Sequence, residues 1–206
     1  NDSDSHWQTV KPMPTPRSSL TSSVVDGKIY AIGGTGSAGA QTAIEEYDPS
    51  SDSWVEMTDM PTQRHGMVSC AANGKIYVFG GYDGTNYLNT TEEFDPVLNS
   101  WTTKTNMPTE RAFLGIAVED GKAYLIGGQN VSGDLDVVEE YDPVGDSWVT
   151  KTAMPTARYN ITSSTLNGKI YTIGGWNATC SSFALPTIEV YDPLLDAWSI
   201  KSAVGQ

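Results

Sequence analysis

The stretch DGKIYAIGG occupies residues 26–34, and it decides the fold because the chain carries it four times. It returns as NGKIYVFGG at 73–81, DGKAYLIGG at 120–128 and NGKIYTIGG at 167–175, in steps of 47 residues. Asp-Gly and Asn-Gly are strong signals for a two-residue hairpin, because a type I′ turn requires positive φ at both central positions. The β-rich run after each turn predicts a strand, and the fixed period indicates a repeat architecture.

Other residues keep the same period and complete a unit of four short strands, A to D. Tyr-Asp-Pro ends strand C, with Phe94 in place of the tyrosine in the second repeat. Strand D carries a tryptophan and stops before a Met-Pro pair, because proline cannot donate to a β-ladder. The tryptophans are Trp7, Trp54, Trp101, Trp148 and Trp198, and the Met-Pro pairs begin at Met13, Met60, Met107 and Met154. The pattern predicts repeats at about 14–60, 61–107, 108–154 and 155–204, with an outer strand near residue 7.

These residues resemble the kelch repeat, whose signature is Gly-Gly after an Ile-Tyr strand, then Tyr-Asp-Pro, Trp, and Met-Pro followed by Arg. The resemblance covers nearly the whole chain. It implies an all-β fold: a kelch-type β-propeller region over residues 1–206, with four four-stranded antiparallel blades and one extra outer strand. Kelch propellers usually close with more than four blades. The extra outer strand would lack a complete blade of its own. It therefore favours either a longer array of repeats or association with other copies of this chain.

The recurring residues are expected to be structural. Tryptophan and tyrosine at every period are best explained by the packing of one blade on the next. An arginine also recurs, and acidic residues precede each Tyr-Asp-Pro. A buried Arg–Glu pair within each blade is one interpretation, because an interior guanidinium needs a carboxylate partner. The other is an arginine that faces a ligand. The arginines are Arg17, Arg64, Arg111 and Arg158.

The predicted binding residues lie on one face. Antiparallel strand order sends the A–B and C–D turns to one face and the B–C loops and D–A connections to the other. The B–C loops vary between repeats, and variable loops on a rigid scaffold usually carry function. The predicted binding set there is His65, Tyr82, Tyr87, Gln129, Tyr159 and Trp176.

The resemblance supports this choice. In peptide-binding kelch domains, the position after the arginine and the position after Gly-Gly both line the ligand face. By that resemblance the face here consists of Ser18, Thr35, His65, Tyr82, Ala112, Gln129, Tyr159 and Trp176. The alternative is that the loop aromatics, Phe113 and Phe183 above all, only hold their own loops in place.

No catalytic residue, metal site or cofactor is predicted. The histidines, His6 and His65, form no paired-histidine motif, and no Cys/His spacing suits a metal. GTGSAG at residues 34–39 matches G-x-G-x-x-G, but a strand follows it rather than the helix that nucleotide binding requires. Cys70 and Cys180 stand at different positions in their repeats, so they do not make a disulfide framework.

The charge favours a protein or peptide partner. The formal net charge is −13, and the 12 basic residues are mostly scattered singly. Nucleic acid is therefore not an expected partner, whereas cationic partners are favoured. No apolar run is long enough for a membrane helix, so no membrane partner is expected.

Four Asn-X-Ser/Thr sequons begin at Asn89, Asn130, Asn160 and Asn177. They can carry glycans only if the protein is secreted from a glycosylating cell, and they favour an extracellular location. The favoured function is a non-catalytic protein- or peptide-binding module. Two alternatives stay open: a structural, self-assembling extracellular repeat protein, and a carbohydrate-binding or sugar-active kelch protein. Glycans on Asn130 and Asn177 would crowd the predicted binding face.

Overall fold

The computed structural model describes residues 7–178 and 184–201, which form four sheets of four strands and contain no helix. Blade 1 contains β1 (Thr21–Val25), β2 (Lys28–Ile32), a small hairpin of β3 (Thr35–Gly36) and β4 (Gly39–Ala40), β5 (Ile44–Asp48) and β6 (Ser53–Glu56). Blade 2 contains β7 (Val68–Ala72), β8 (Lys75–Phe79), β9 (Thr91–Asp95) and β10 (Ser100–Thr103).

Blade 3 contains β11 (Gly115–Glu119), β12 (Lys122–Ile126), a small hairpin of β13 (Gln129–Asn130) and β14 (Gly133–Asp134), β15 (Val138–Asp142) and β16 (Ser147–Lys151). Blade 4 contains β17 (Thr162–Leu166), β18 (Lys169–Ile173), β19 (Ile188–Asp192) and β20 (Ala197–Lys201). The four long strands of each blade pair in chain order, A to D, and all pairings are antiparallel. The predicted all-β propeller of four-stranded blades is confirmed.

The A–B turns have the predicted conformation. Asp26 and Gly27 have φ values of 49° and 76°, and Asn73 and Gly74 have values of 53° and 74°. Positive φ at both central residues is the type I′ geometry that Asp-Gly and Asn-Gly favour. The turn fixes the register, so Val25 pairs with Lys28 and Thr21 pairs with Ile32. As a result the apolar side chains of A and B reach the same two faces in every blade.

The core lies between the blades. We call the face that a blade turns to the next blade in the chain its trailing face, and the opposite one its leading face. Between blades 1 and 2, the trailing side chains of Tyr30, Ile32 and Ile44 pack against leading side chains of blade 2, and all are buried. The leading residues at this interface are Met67, Ile76, Val78 and Phe94. The same positions build the other two interfaces, so the recurring aromatics are structural, as predicted.

The tryptophan of strand D joins each blade to the chain segment that precedes the blade. Trp101 Nε1 donates a hydrogen bond to the carbonyl of Thr58, just after the D strand of blade 1, over 2.8 Å. Trp148 and Trp198 make the same bond to Thr105 and Thr152, each over 2.9 Å. Each ring also packs on an aromatic residue of its own strand C, as Trp101 does on Phe94. This contact explains why a tryptophan, with one N–H donor and a large apolar ring, recurs here.

The recurring arginines are buried, which decides between the two interpretations of them. The four pairs are Arg17–Glu45, Arg64–Glu92, Arg111–Glu139 and Arg158–Glu189, with N–O distances of 3.0, 2.7, 2.5 and 2.8 Å. Each guanidinium is wholly shielded from solvent. Burial lowers the pKa of Arg64 to about 10, against the opposing effect of the Glu92 charge. The interpretation as a buried pair is confirmed, and the interpretation as a ligand-facing arginine is wrong.

The structure differs from the sequence-based prediction at the outer strand near residue 7. Residues 7–17 form no strand, and the Trp7 side chain is 92% exposed. A D strand exists only where a C strand can pair with it, and the described residues place none beside Trp7. The segment instead reaches blade 1 through Lys11, whose N–H donates to Asp52 and whose carbonyl accepts from Trp54 Nε1.

Two further sequence features have a place in the fold. Cys70 is a free, buried thiol in blade 2, and burial raises its pKa to about 12. Cys180 lies outside the described residues, so its pairing stays open. Within the described ranges there is no helix that could cross a membrane.

Candidate ligand-binding site

The two positions nominated for ligand contact are paired with each other in every blade. The residue after the arginine and the residue after Gly-Gly form an isolated antiparallel bridge, with backbone hydrogen bonds in both directions. For His65 and Tyr82 these bonds are 3.1 and 2.9 Å long. We call the four pairs the rim: Ser18–Thr35, His65–Tyr82, Ala112–Gln129 and Tyr159–Trp176. The rim lies on the face of the B–C loops and D–A connections.

The Gly-Gly pair makes this pairing possible. Gly33 and Gly34 have φ values of 56° and 102°, which β-branched or bulky residues rarely adopt. A Cβ atom on Gly34 would lie 2.7 Å from the carbonyl oxygen of Ser18. Glycine therefore lets the chain leave strand B and pass close enough to the post-arginine residue to bond with it. The same contact recurs at Gly81 and Gly128.

Four side chains around blade 2 form an aromatic cluster: His65, Tyr82, Tyr87 and Phe113. The His65 ring lies 5.7 Å from Tyr82 and 5.8 Å from Phe113, measured between ring centroids. Tyr82 and Tyr87 are bridged across the B–C loop, and their rings are 5.1 Å apart. All four residues are half-buried.

The cluster extends toward blades 3 and 4. The Tyr87 hydroxyl donates a long hydrogen bond of 3.4 Å to Oε1 of Gln129 on blade 3. The pKa of Tyr87 is raised by burial and by the neighbouring phenols of Tyr82 and Tyr159. Burial lowers the pKa of His65, which favours the neutral imidazole. The structure therefore brings five of the six predicted binding residues close together, and Gln129 Nε2 also donates to Oδ1 of Asp134 over 3.5 Å.

The sixth residue, Trp176, lies at the blade 4 end of the rim. Its side chain is 46% exposed, and its backbone exchanges hydrogen bonds with Tyr159 over 2.8 and 3.0 Å. The smaller rim residues contribute less side-chain surface. Ala112 is fully buried, whereas Ser18 is exposed and Thr35 is half-buried. Phe183 lies outside the described residues, so its role stays a prediction.

Phe113 was not in the predicted binding set, yet it lies against His65 and lines a depression of about 290 Å³ near the propeller axis. Its φ is +58°, a strained value for a bulky side chain. Ser19, Gly66 and Asn160 hold the same position in the other blades and also have positive φ. The sequence signal was available, because Gly and Asn are the residues that favour this conformation and Phe113 replaces them.

The sequons differ in accessibility. Asn160 is exposed, and Asn89 is half-buried. Asn130 is also half-buried, and its side-chain amide donates to the Glu110 carbonyl over 3.3 Å. Asn177 is buried, and its amide donates to the Ala157 carbonyl. Glycosylation at any of the four stays a prediction, and at Asn177 it would require this buried amide to come out.

Most of the described cations are buried or paired with carboxylates. The four arginines are buried, and six lysines contact carboxylates of C strands or C–D turns: Lys28, Lys75, Lys104, Lys122, Lys151 and Lys169. Residues 34–39 belong to the β3–β4 hairpin, where the sequence predicted a loop, and strand β5 rather than a helix comes next, as predicted. Over residues 7–178 and 184–201, no group of three or more His, Cys, Asp and Glu side chains could hold a metal ion.

Comparisons with known proteins bear on the family of the chain. The sequence profile of the KLHDC2/KLHL20/DRC7 kelch-repeats domain matches residues 2–103 and 56–206. F-box protein AFR from Arabidopsis thaliana is 43% identical over 49 residues, which are 23% of this chain and 13% of that protein. The aligned part is therefore a small fraction of that relative. Both findings fit a module for protein interaction.

Proposed function

Since the chain belongs to the kelch-repeat family, we propose that it is a non-catalytic protein-interaction module that binds a peptide segment on its rim. The observation that carries the proposal is the pairing of the two nominated positions in every blade, which supports a shared role for the loop aromatics beside them. Propeller scaffolds hold such loops rigidly, so a peptide can bind without ordering the protein first.

The aromatic cluster supplies the apolar part of the proposed contact. His65, Tyr82 and Tyr87 present ring surface beside polar atoms, and aromatic residues are enriched where interfaces place most of their binding energy. Trp176 adds a partly exposed indole at the far end of the rim. A peptide with an apolar or aromatic side chain fits this surface best.

The polar part combines uncharged groups with the Asp134 carboxylate, which accepts from Gln129 Nε2 over 3.5 Å. The Gln129 amide and the tyrosine hydroxyls offer both donors and acceptors to a peptide backbone. The described arginine and lysine charges are buried or paired elsewhere, and the chain has a net charge of −13. An acidic ligand would therefore meet no counter-charge here, so we assign the rim a neutral or basic peptide.

The proposal can be tested by selecting binders from a random twelve-residue peptide library displayed on phage. Affinities of the selected peptides are then measured by calorimetry on Tyr82→Ala and Trp176→Ala variants. We expect each variant to bind at least about tenfold more weakly, the loss that about 1.4 kcal/mol produces. Asp120→Asn, in an A–B turn on the opposite face, is the control and should bind normally.

Two results would refute the proposal. One is a set of selected peptides whose affinity depends on the A–B turns but not on Tyr82 or Trp176. The other is failure to select any peptide together with binding of a glycan array through Trp176, which would favour the carbohydrate-binding alternative.

A further inference from the structure

The carboxylate of Asp134 lies directly beside the rim. In each blade the residue after Gly-Gly pairs in antiparallel fashion with a second residue of the B–C loop. The pairs are Thr35–Ala40, Tyr82–Tyr87, Gln129–Asp134 and Trp176–Ala184. Asp134 follows Tyr87 by one period of 47 residues. It is therefore the blade 3 counterpart of a residue in the predicted binding set, although it was not itself in that set.

The repeat does not require a carboxylate at this position. Ala40 and Ala184 form the same pairing with a methyl side chain, and Tyr87 forms it with a phenol. Since the pairing uses backbone groups, the side chain can vary without changing the loop. A residue that departs from its counterparts on a loop held by a rigid scaffold is a candidate for ligand contact.

The hydrogen bonds of Asp134 need its oxygens but not its charge. Oδ2 accepts from the backbone N–H of Ala178 in blade 4 over 2.7 Å, which the amide oxygen of an asparagine could do equally well. Oδ1 accepts a long bond of 3.5 Å from Gln129 Nε2. A carboxylate offers about four lone-pair sites, so this oxygen can still accept a shorter, charge-assisted bond from a ligand.

The charge of Asp134 has no counter-charge in the described part of the chain. Every ion pair there uses a carboxylate of a C strand or a C–D turn. The B–C loops, at 33–43, 80–90, 127–137 and 174–187, contain no lysine or arginine, and their carboxylates are Asp83, Asp134 and Asp136. Asp83 accepts from two backbone N–H groups of its own loop, and Asp136 is exposed. Asp134 is half-buried and uncompensated, so a ligand cation is favoured beside it.

We propose that Asp134 binds a lysine or arginine side chain of the peptide on the rim. The inference rests on the proposed function, because only a ligand that lies across the rim would reach this carboxylate. Gln129 connects Asp134 to the aromatic cluster, since its Oε1 accepts from the Tyr87 hydroxyl over 3.4 Å. The alkyl part of a basic side chain can pack on an aromatic ring while its charge reaches the carboxylate. The rim then selects a peptide with a basic residue near an apolar one.

Calorimetry with the peptides selected on the wild-type chain tests this subsite. We expect them to share a lysine or arginine, and its replacement by norleucine or citrulline should raise the dissociation constant at least about tenfold. Asp134→Asn keeps an acceptor for Ala178 but removes the charge. It should weaken the basic peptide by a similar factor and leave the affinity of the substituted peptide unchanged. Asp136→Asn removes the same charge two residues away, so it is the control and should bind the basic peptide normally.

Salt separates a role of the charge from a structural role. Between about 50 and about 500 mM salt, the basic peptide should lose more affinity for the wild type than for Asp134→Asn. Equal weakening of the basic and the substituted peptide by Asp134→Asn would indicate a structural role and overturn the subsite. So would selected peptides that depend on Tyr82 and Trp176 but share no basic residue, a result that leaves the proposed function intact. Peptides that depend on neither Tyr82 nor Trp176 overturn both.

Discussion

At the scale of single residues, Gly66 lies directly against the ring of Phe113 in the candidate site. Its φ is +64°, and a Cβ atom there would lie 2.6 Å from Phe113 Cε1. We expect Gly66→Ala to lower the free energy of unfolding, both through the left-handed conformation, which costs about 1–2 kcal/mol, and through displacement of the ring. Urea unfolding measures the change.

Gly27→Ala is the matched control for this prediction. Gly27 also has positive φ, +76°, but nothing lies within 4 Å of its Cβ position. It should show the conformational cost alone. Equal losses in the two variants would mean that Phe113 does not pack over Gly66, and the aromatic cluster would then be described incorrectly.

His65 gives the site a pH dependence. Burial lowers its pKa below the usual 6.5, so between these two values the unfolded chain binds a proton that the folded chain does not. Stability is therefore full above the unfolded pKa and decreases as the pH falls toward the folded pKa. We expect the melting temperature of the wild type to fall more than that of His65→Gln between about pH 7 and pH 5. Equal pH profiles would contradict the burial of this ring.

Single residues also show what could be predicted from the sequence. The turn at Asp26-Gly27 was predictable because its conformation is set by local chemistry. The positive φ of Phe113 was signalled by the Gly and Asn at the equivalent positions, but the packing of its ring was not predictable, because His65 and Gly66 are distant from it in sequence. The burial of Asn177 was also not predictable from the sequence. A sequon is a local pattern, whereas the Asn177 side-chain amide donates to the carbonyl of Ala157, 20 residues away.

At the scale of elements, the buried ion pair ties strand C to the D–A connection. Arg64 donates to Glu92 over 2.7 Å, while Thr62 donates to the other carboxylate oxygen. We expect Glu92→Gln to cost about 3–5 kcal/mol, because it leaves a wholly buried guanidinium without a counter-charge. Guanidinium chloride unfolding measures the loss.

The control is Asp95→Asn in the same strand. Its partner Lys75 is partly exposed, and the N–O distance is 3.3 Å, so the pair should contribute at most about 1 kcal/mol. Equal losses in both variants would mean that the buried Arg–Glu pair stabilises the fold no more than the partly exposed Asp95–Lys75 pair does.

The Arg–Glu pair was predictable from the sequence, because both residues recur in every repeat. The absence of a strand at Trp7 was not predictable, because a D strand forms only beside a C strand, and the periodic pattern does not show whether one lies there.

At the scale of the whole molecule, stability depends on contacts between successive blades. Trp101 packs on Phe94 and donates to Thr58 of the preceding segment. Removal of this ring by Trp101→Ala should cost about 3–5 kcal/mol. Trp7→Ala removes the same kind of side chain from a site that is 92% exposed, and it should change little. Thermal unfolding compares them, and equal melting temperatures would contradict the structural role of the periodic tryptophan.

The location of ligand binding is the central claim, and amide hydrogen exchange tests it most directly. The wild-type chain is compared with and without a selected twelve-residue peptide. We expect slower exchange at residues 82–87 and 129–134 and around His65, Tyr159 and Trp176, where the rim lies. Protection confined to the A–B turns at 26–27, 73–74, 120–121 and 167–168 would contradict the claim.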